Sequence, residues 1–126
     1  MTSQLNPSDF AAWRDSVQSG LTSGLSSVPI VPVVLDVREP WELQTASVKP
    51  DGFALVHIPM RDIPARIAEL QQAHGSGHPI ACLCHHGMRS LQVANFLMQS
   101  GFTDVVNLQG GIDAWSQQLD QTVPRY

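Results

Sequence analysis

The sequence contains few charged residues. Only 14% of its 126 residues are charged, and seven Lys and Arg against eleven Asp and Glu leave a net charge of −4. A protein that binds nucleic acid needs a basic surface for the phosphates, so we do not expect nucleic acid as a partner. Apolar residues make up 43% of the chain, and this fraction excludes an intrinsically disordered protein.

Long apolar runs and a secretion signal are also missing. No stretch approaches the length that spans a bilayer, and the segment from Met1 to Asp15 has no cationic start followed by an apolar run. We therefore predict a cytoplasmic protein without a membrane partner. The sequence has two cysteines. In a reducing compartment they are more often catalytic, metal-binding or inert than disulfide-bonded.

The length predicts a single domain over residues 1–126. Its expected parts are an N-terminal helix and loop over 1–27, a core over about 28–119, and a short C-terminal tail. The helix is expected to begin near Asn6-Pro7, because Asn is a good cap and Pro suits the first helical position. The small polar stretch 19–24 is expected to form an internal loop.

Short apolar segments alternate with helical patterns along the chain. Strands are predicted over 28–37, 53–58, 79–84 and 105–108, and further helices over 39–44, from Asp62 to Leu70, over 90–100 and over 112–119. Buried strands that alternate with helices pair in parallel. We therefore predict an α/β fold whose central, mostly parallel sheet of about five strands carries helices on both faces. The helix over 90–100 is apolar nearly all round and is expected to be well buried.

In such folds, sites form beyond the carboxyl ends of the strands. The segment after the strand over 79–84 reads Cys84-His85-His86-Gly87-Met88-Arg89-Ser90. A free thiol has a pKa of about 8.5, and backbone N–H groups, a helix N-terminus and a guanidinium all lower it. Gly87 permits a positive φ, and Arg89 offers a fork of donors to an oxyanion. We interpret Cys84 as a reactive thiol; the alternative is a buried structural cysteine before an ordinary turn.

The neighbouring residues leave alternatives open. His85 and His86 are either a titratable cationic rim for an anionic substrate or exposed loop side chains that offer only backbone N–H groups. Met88 is either an apolar lip or a packing residue. We interpret Cys82 as a small buried core residue; the alternative is a resolving thiol. We expect no metal, because adjacent side chains point apart and zinc usually takes two separated pairs of ligands.

Three segments resemble motifs of the rhodanese family. Cys84 to Ser90 resembles the active-site loop Cys-x-x-Gly-x-Arg-Ser. Leu35 to Glu42 resembles the first-strand motif, Asp-Val-Arg followed by Glu, and Asn107 to Trp115 resembles the closing motif, Gly-Gly followed by Trp. The segments occur in the family's order, and the likeness extends from about Val28 to Leu119.

The resemblance implies a sulfurtransferase that works without a cofactor. Cys84 would take the outer sulfur of a donor such as thiosulfate as a persulfide and pass it to cyanide or a thiol. Four residues separate Cys84 from Arg89; relatives that act on phosphate or arsenate have five, so the shorter loop favours sulfur. The residues that the resemblance implies are Cys84 and Arg89 as catalytic, His85, His86, Gly87, Met88 and Ser90 as substrate-binding, and Asp36, Arg38 and Glu42 as supporting.

Two other functions remain open at this point. The protein could relay persulfide sulfur from one protein to another, or it could be a non-catalytic interaction or regulatory domain. The presence of both Cys84 and Arg89 argues against the non-catalytic alternative. The expected partners are a small anionic sulfur donor, a thiol or cyanide acceptor, and a sulfur-relay protein. We expect a monomer or a homodimer.

Overall fold

The structure is a computed structural model that describes residues 3–21, 31–75 and 77–126. Its strands are β1 (Ser3–Leu5), β2 (Val33–Asp36), β3 (Ala54–His57), β4 (Ile80–Leu83) and β5 (Val105–Leu108). Its α-helices are α1 (Phe10–Leu21), α2 (Pro40–Thr45), α3 (Ile63–His74), α4 (Met88–Gln99) and α5 (Gly111–Gln118), and short 3-10 turns cover Pro7–Asp9 and Met60–Asp62.

The five strands form one sheet in the order β1-β5-β4-β2-β3, and every neighbouring pair is parallel. This confirms the predicted α/β fold. Strand β4 lies in the centre, and Asp36 at the end of β2 is in register with Leu83 at the end of β4. The residues that follow these two strands therefore meet at the carboxyl edge of the sheet.

Alternating strand residues supply the two faces of the sheet. Val33 and Leu35 belong to a core with side chains from α3 and α4, whereas Val34 belongs to a second core with side chains from α1 and α5. All of the β2 and β4 residues are buried. Strands buried on both faces read as continuous apolar runs, and this pattern made them visible in the sequence.

Two elements end at residues other than those predicted. The strand predicted over 28–37 spans only Val33–Asp36, because its partners β3 and β4 supply four residues each; residues 28–30 lie outside the described residues. Helix α1 continues to Leu21, so the loop predicted from residue 19 is wrong at its start, and residues 22–24 lie outside the described residues. The helical cost of Gly20, about 1 kcal/mol, is too small to end the helix.

The prediction that the helix over 90–100 is well buried is wrong for one of its sides. Val93 and Leu97 on α4 pack into the core, but Phe96 and Met98 face outward with more than a third of their surface exposed. Only one side of α4 contacts the sheet. The apolar residues on its other side remain at the surface.

The C-terminal tail packs back onto the domain. Val123 is buried, and its carbonyl accepts a 2.6 Å hydrogen bond from Ser116 Oγ of α5. Arg125 forms an ion pair with Asp113, also on α5, at 2.8 Å. The tail is therefore a fixed part of the fold, and its path leads to the loop after β4.

Over the ranges 3–21, 31–75 and 77–126, no helix combines the length and apolar character needed to cross a membrane.

Candidate active site

The loop after β4 closes around the sulfur of Cys84. The Gly87 N–H donates to Cys84 Sγ at 3.1 Å, and Ser90 Oγ lies 3.3 Å from the same atom. Gly87 has φ +97°, and a Cβ there would lie 2.9 Å from the Gly110 nitrogen. Only glycine meets both conditions without strain. Cys84 is itself 1% exposed, so the sulfur sits at the bottom of a tight cradle.

The start of α5 supports this loop from behind. Ile112 N–H donates to the Cys84 carbonyl at 2.8 Å, and Asp113 N–H donates to the His85 carbonyl at 3.2 Å. A Cβ at Gly111 would overlap both carbonyl oxygens. The closing Gly-Gly pair therefore does more than begin a helix, because it lets α5 approach the loop after β4 closely enough to form hydrogen bonds with it.

Arg89 is held by Glu42. Arg89 Nη1 and Nη2 each donate to one Glu42 oxygen at 2.8 Å. The side chain of Glu42 is 4% exposed, whereas that of Arg89 is 36% exposed. The two terminal nitrogens face Glu42, so the Nε–H remains without a partner among the described residues. Because more than a third of the Arg89 side chain is exposed, its charge is accessible to an oxyanion from solvent.

The ion pair between Glu42 and Arg89 shifts the pKa of both side chains. Hydrogen bonds from Arg89 lower the pKa of the Glu42 carboxyl to about 2, although burial acts in the opposite direction. The Glu39 N–H and the Tyr126 hydroxyl also donate to this carboxylate, each within 2.9 Å. In turn, the hydrogen bonds to Glu42 raise the pKa of Arg89 above its ordinary value. Both groups are therefore charged at neutral pH.

Asp36 and Arg38 form a second, fully buried ion pair. Both side chains are 0% exposed, and Arg38 Nη2 lies 2.7 Å from Asp36 Oδ2. Arg38 also donates to the backbone carbonyls of Glu42 and Ala46, at 3.2 and 2.9 Å. The pair fastens α2 to the end of β2 and so fixes the position from which Glu42 reaches Arg89.

The two histidines and Met88 lie on the rim. The His85 and His86 rings stack with centroids 3.9 Å apart. His85 also stacks on Tyr126, at 3.8 Å and 5° between planes. Met88 opens α4 and is 71% exposed. Of the five residues predicted to bind substrate, Gly87 and Ser90 contact Cys84 Sγ directly, and a substrate role for each of the five stays a prediction.

Asn107 is a residue of the site that the sequence reasoning missed. Its Nδ2 donates to the Gly87 carbonyl at 3.1 Å and to Gln4 Oε1 at 2.9 Å. A carbonyl only accepts, so this amide orientation is fixed and Asn107 Oδ1 must face Ser90 Oγ, 2.6 Å away. The Ser90 hydroxyl thus lies between two acceptors for its one proton, Asn107 Oδ1 and Cys84 Sγ. The available signal was a polar residue in the otherwise apolar strand β5.

Cys82 lies in the core between β2 and β5 and is fully buried. Burial raises the pKa of the Cys82 thiol far above its ordinary range. A thiol that stays protonated is a poor nucleophile, in keeping with the core interpretation. Among the described residues, no three His, Cys, Asp or Glu side chains are placed to share a metal ion.

Replacing Glu42 with glutamine is expected to destabilise the protein in a pH-dependent way. The folded pKa of about 2 lies below the ordinary value of 4.5, so the ionised carboxylate stabilises the fold above pH 4.5, and this contribution is lost as the pH falls toward 2. At pH 7 the free energy of unfolding should fall by on the order of 3 kcal/mol in Glu42→Gln. Urea unfolding at pH 7, 5, 4 and 3 measures the difference.

The difference between wild type and Glu42→Gln should shrink steadily below pH 4.5. Glu69→Gln is the control, because Glu69 is a carboxylate that pairs with Arg66 at 3.1 Å on the exposed surface of α3. Its substitution should change stability little at any pH. A difference for Glu42→Gln that stays constant from pH 7 to 3 would contradict the assignment.

Comparison with known proteins identifies relatives. The sequence matches the family described as rhodanese-like domain over residues 19–118. A thiosulfate sulfurtransferase, GlpE of Pseudoalteromonas translucida, is 32% identical over 93 residues, which cover 74% of this chain and 81% of that protein. Other relatives are named as a sulfurtransferase and as a putative sulfur carrier protein.

Some relatives are much longer. A chloroplastic rhodanese-like/PpiC domain-containing protein of Arabidopsis thaliana is 37% identical over 93 residues, covering 74% of this chain and 30% of that protein. This chain matches 19% to 30% of the length of three such relatives. Among solved structures, a rhodanese-related protein of Thermoplasma volcanium matches with a TM-score of 0.64 and 26% identity over 93% of each chain.

Proposed function

The chain belongs to the family of rhodanese-like domains, and we propose that it is a sulfurtransferase that carries a sulfane sulfur on Cys84. The donor is a small sulfur anion such as thiosulfate, and the acceptor is cyanide or a thiol. The observation that carries the proposal is the Gly87 N–H, 3.1 Å from Cys84 Sγ, in a cradle beside the exposed side of Arg89. A backbone donor aimed at sulfur favours its anionic form.

The reaction has two half-steps. The Cys84 thiolate attacks the outer sulfur of thiosulfate, an S–S bond to Sγ forms, and the bond from the outer sulfur to the sulfonate sulfur breaks. Sulfite leaves with that electron pair, and Cys84 holds a persulfide. Cyanide then attacks the terminal sulfur, thiocyanate leaves, and Sγ regains its electron pair as a thiolate. The proton lost when the resting thiol ionises passes to solvent.

The surrounding residues supply charge and position. The partly exposed Arg89 supplies positive charge for the sulfonate oxygens of the donor and for the sulfite that leaves, while Glu42 keeps the guanidinium in one orientation. The Gly87 N–H stabilises negative charge on Sγ at the start and end of the cycle. Asp36 and Arg38 act at a distance by fixing α2.

Intact-mass measurement tests the proposal directly. After incubation with thiosulfate, and without a reductant, the wild-type protein should gain one sulfur atom and release it on addition of cyanide. Initial rates at varied thiosulfate and cyanide should give the parallel double-reciprocal lines of a ping-pong mechanism. If neither thiosulfate nor an inorganic polysulfide adds sulfur, sulfur transfer on Cys84 is wrong. If only polysulfide does, thiosulfate is the wrong donor.

A persulfide relay between proteins is the second candidate. Two large apolar side chains close to the loop are strongly exposed, Met88 at 71% and Trp41 at 61%, and exposed apolar surface beside a site suits protein contact. A relay would load Cys84 rapidly in the mass experiment but turn over slowly with cyanide. Its acceptor would be a protein thiol, and single-turnover kinetics would separate loading from discharge.

A further inference from the structure

Tyr126 contacts both sides of the site while standing outside the recognised motifs. Its hydroxyl lies between Arg38 and Glu42, and its ring covers His85. We propose that Tyr126 is a positioning residue: through Glu42 and His85 it holds Arg89 and the loop after β4 in one fixed arrangement. The expected effect of Tyr126 on thiosulfate binding rests on the proposed function. Its effect on the position of Arg89 does not.

The hydroxyl has a defined direction. Arg38 Nη1 lies 3.0 Å from Tyr126 Oη and can only donate, so the oxygen accepts from it. The single phenolic proton is then directed to Glu42 Oε1, 2.8 Å away. Burial raises the pKa of Tyr126 above its ordinary value, so the hydroxyl keeps this proton. Tyr126 thus links the buried Arg38–Asp36 pair to the carboxylate that holds Arg89.

The ring and backbone of Tyr126 fix the other side of the site. The ring lies flat on His85, and the Tyr126 main-chain oxygen is 2.6 Å from His85 Nε2. Because that oxygen only accepts, the Nε2 atom of His85 carries a hydrogen. His86 stacks on His85 in turn. The His85 side chain, next to Cys84 in the chain, is therefore held by ring stacking and by a hydrogen bond.

The tail is anchored independently of these contacts. The bond from Ser116 Oγ to the Val123 carbonyl and the Arg125–Asp113 ion pair tie residues 123 and 125 to α5. Helix α5 also bonds the carbonyls of Cys84 and His85. Tyr126 is therefore delivered to the site by the same helix that supports the loop, so its position does not depend on the substrate.

Glu42 is the group through which Tyr126 acts. Its two oxygens accept four hydrogen bonds, two from Arg89, one from the Glu39 N–H and one from Tyr126. Without the phenol, Oε1 loses a donor and the Glu42–Arg89 pair can tilt. The expected loss is in binding an anionic donor rather than in chemistry at sulfur. For Tyr126→Phe we expect KM for thiosulfate to rise about 3- to 10-fold, with kcat within about twofold of wild type.

A second readout does not depend on sulfur transfer. Iodoacetate and iodoacetamide alkylate the same thiol, but only iodoacetate is negatively charged. The rate constant for iodoacetate divided by that for iodoacetamide therefore reports the positive potential near Cys84. In Tyr126→Phe this ratio should fall about 2- to 5-fold, because Arg89 is less well placed. The experiment uses a Cys82→Ala background so that only Cys84 reacts. A fall in the ratio with no wild-type sulfur transfer would retain the positioning role and reject the proposed function.

Thr122→Val is the matched control. It also removes a tail hydroxyl, but within residues 3–21, 31–75 and 77–126 Thr122 bonds only Asp120 and Lys49, away from the site. The ratio and KM should stay at wild-type values in this variant. Tyr126→Phe keeps the ring and its stacking, and its urea midpoint checks that the protein is folded. An unchanged alkylation ratio in folded Tyr126→Phe, whether or not stability falls, would overturn the proposal.

Discussion

Cys84→Ser should form no persulfide and should lose at least about a thousandfold of thiosulfate-to-cyanide turnover. The substitution keeps the size and hydrogen-bonding capacity of the side chain, so the cradle around residue 84 should survive. A serine oxygen, however, is not ionised at neutral pH and cannot form the S–S bond that stores the sulfur. Intact mass after thiosulfate, together with the rate of thiocyanate formation, measures both effects.

Cys82→Ala is the matched control for this loss. Cys82 lies two residues earlier in the chain, but its side chain is buried in the core beneath α4. The variant should gain one sulfur atom and retain most of the turnover, with some loss of stability from the small cavity. Sulfur bound to the Cys84→Ser protein, or its absence from a folded Cys82→Ala protein, would contradict the assignment of the carrier to Cys84.

Asp36→Ala is expected to lower the free energy of unfolding by about 3–5 kcal/mol. The Arg38 guanidinium is fully buried and stays charged, and Asp36 is its only carboxylate partner among the described residues. Removing Asp36 leaves a buried charge without compensation, which costs much more than the pair itself contributes. Because Arg38 also donates to the carbonyl of Glu42 in α2 and to that of Ala46 directly after it, donor binding should weaken as well. Urea unfolding at pH 7 gives the stability change.

Two further variants sharpen that measurement. Glu69→Ala breaks the exposed Arg66–Glu69 pair and should leave the unfolding midpoint unchanged, because surface ion pairs contribute little. Asp36→Leu combined with Arg38→Met removes both charges and should recover part of the lost stability. If Asp36→Ala lowers the free energy of unfolding by less than about 1 kcal/mol, other groups compensate the charge of Arg38, and the Asp36–Arg38 pair does not hold α2 in place.

The central strands and the reactive loop could be predicted because their signals are local. Val33, Leu35 and Ile80 belong to short apolar runs, and such runs between helical patterns indicate a parallel sheet. The position of Cys84 then follows from the rule that sites lie at the carboxyl edge. Strand β1 gave no such signal. It has only three residues, and its pairing with β5 across the whole chain forms it.

The parts of the site that the sequence did not reveal depend on distant partners. Asn107 matters because Gln4 and Gly87 orient its amide, and Tyr126 matters because α5 delivers it to Glu42 and His85. Neither relation has a characteristic spacing in the sequence. The outward face of α4 is a related case, since an apolar pattern shows which residues favour burial but not how many sides of a helix find something to pack against.

The bonds from α5 to the loop also set the electrostatic polarity of the peptide groups around the sulfur. The carbonyls of Cys84 and His85 accept from N–H groups in the first turn of α5, so their negative ends point toward α5. The Gly87 N–H presents its positive end to the sulfur. Hydrogen bonds in series polarise one another, and a helix start carries partial positive charge. Helix α5 therefore acts as a remote source of positive potential for the thiolate, relayed through the peptide groups of the loop without touching the sulfur.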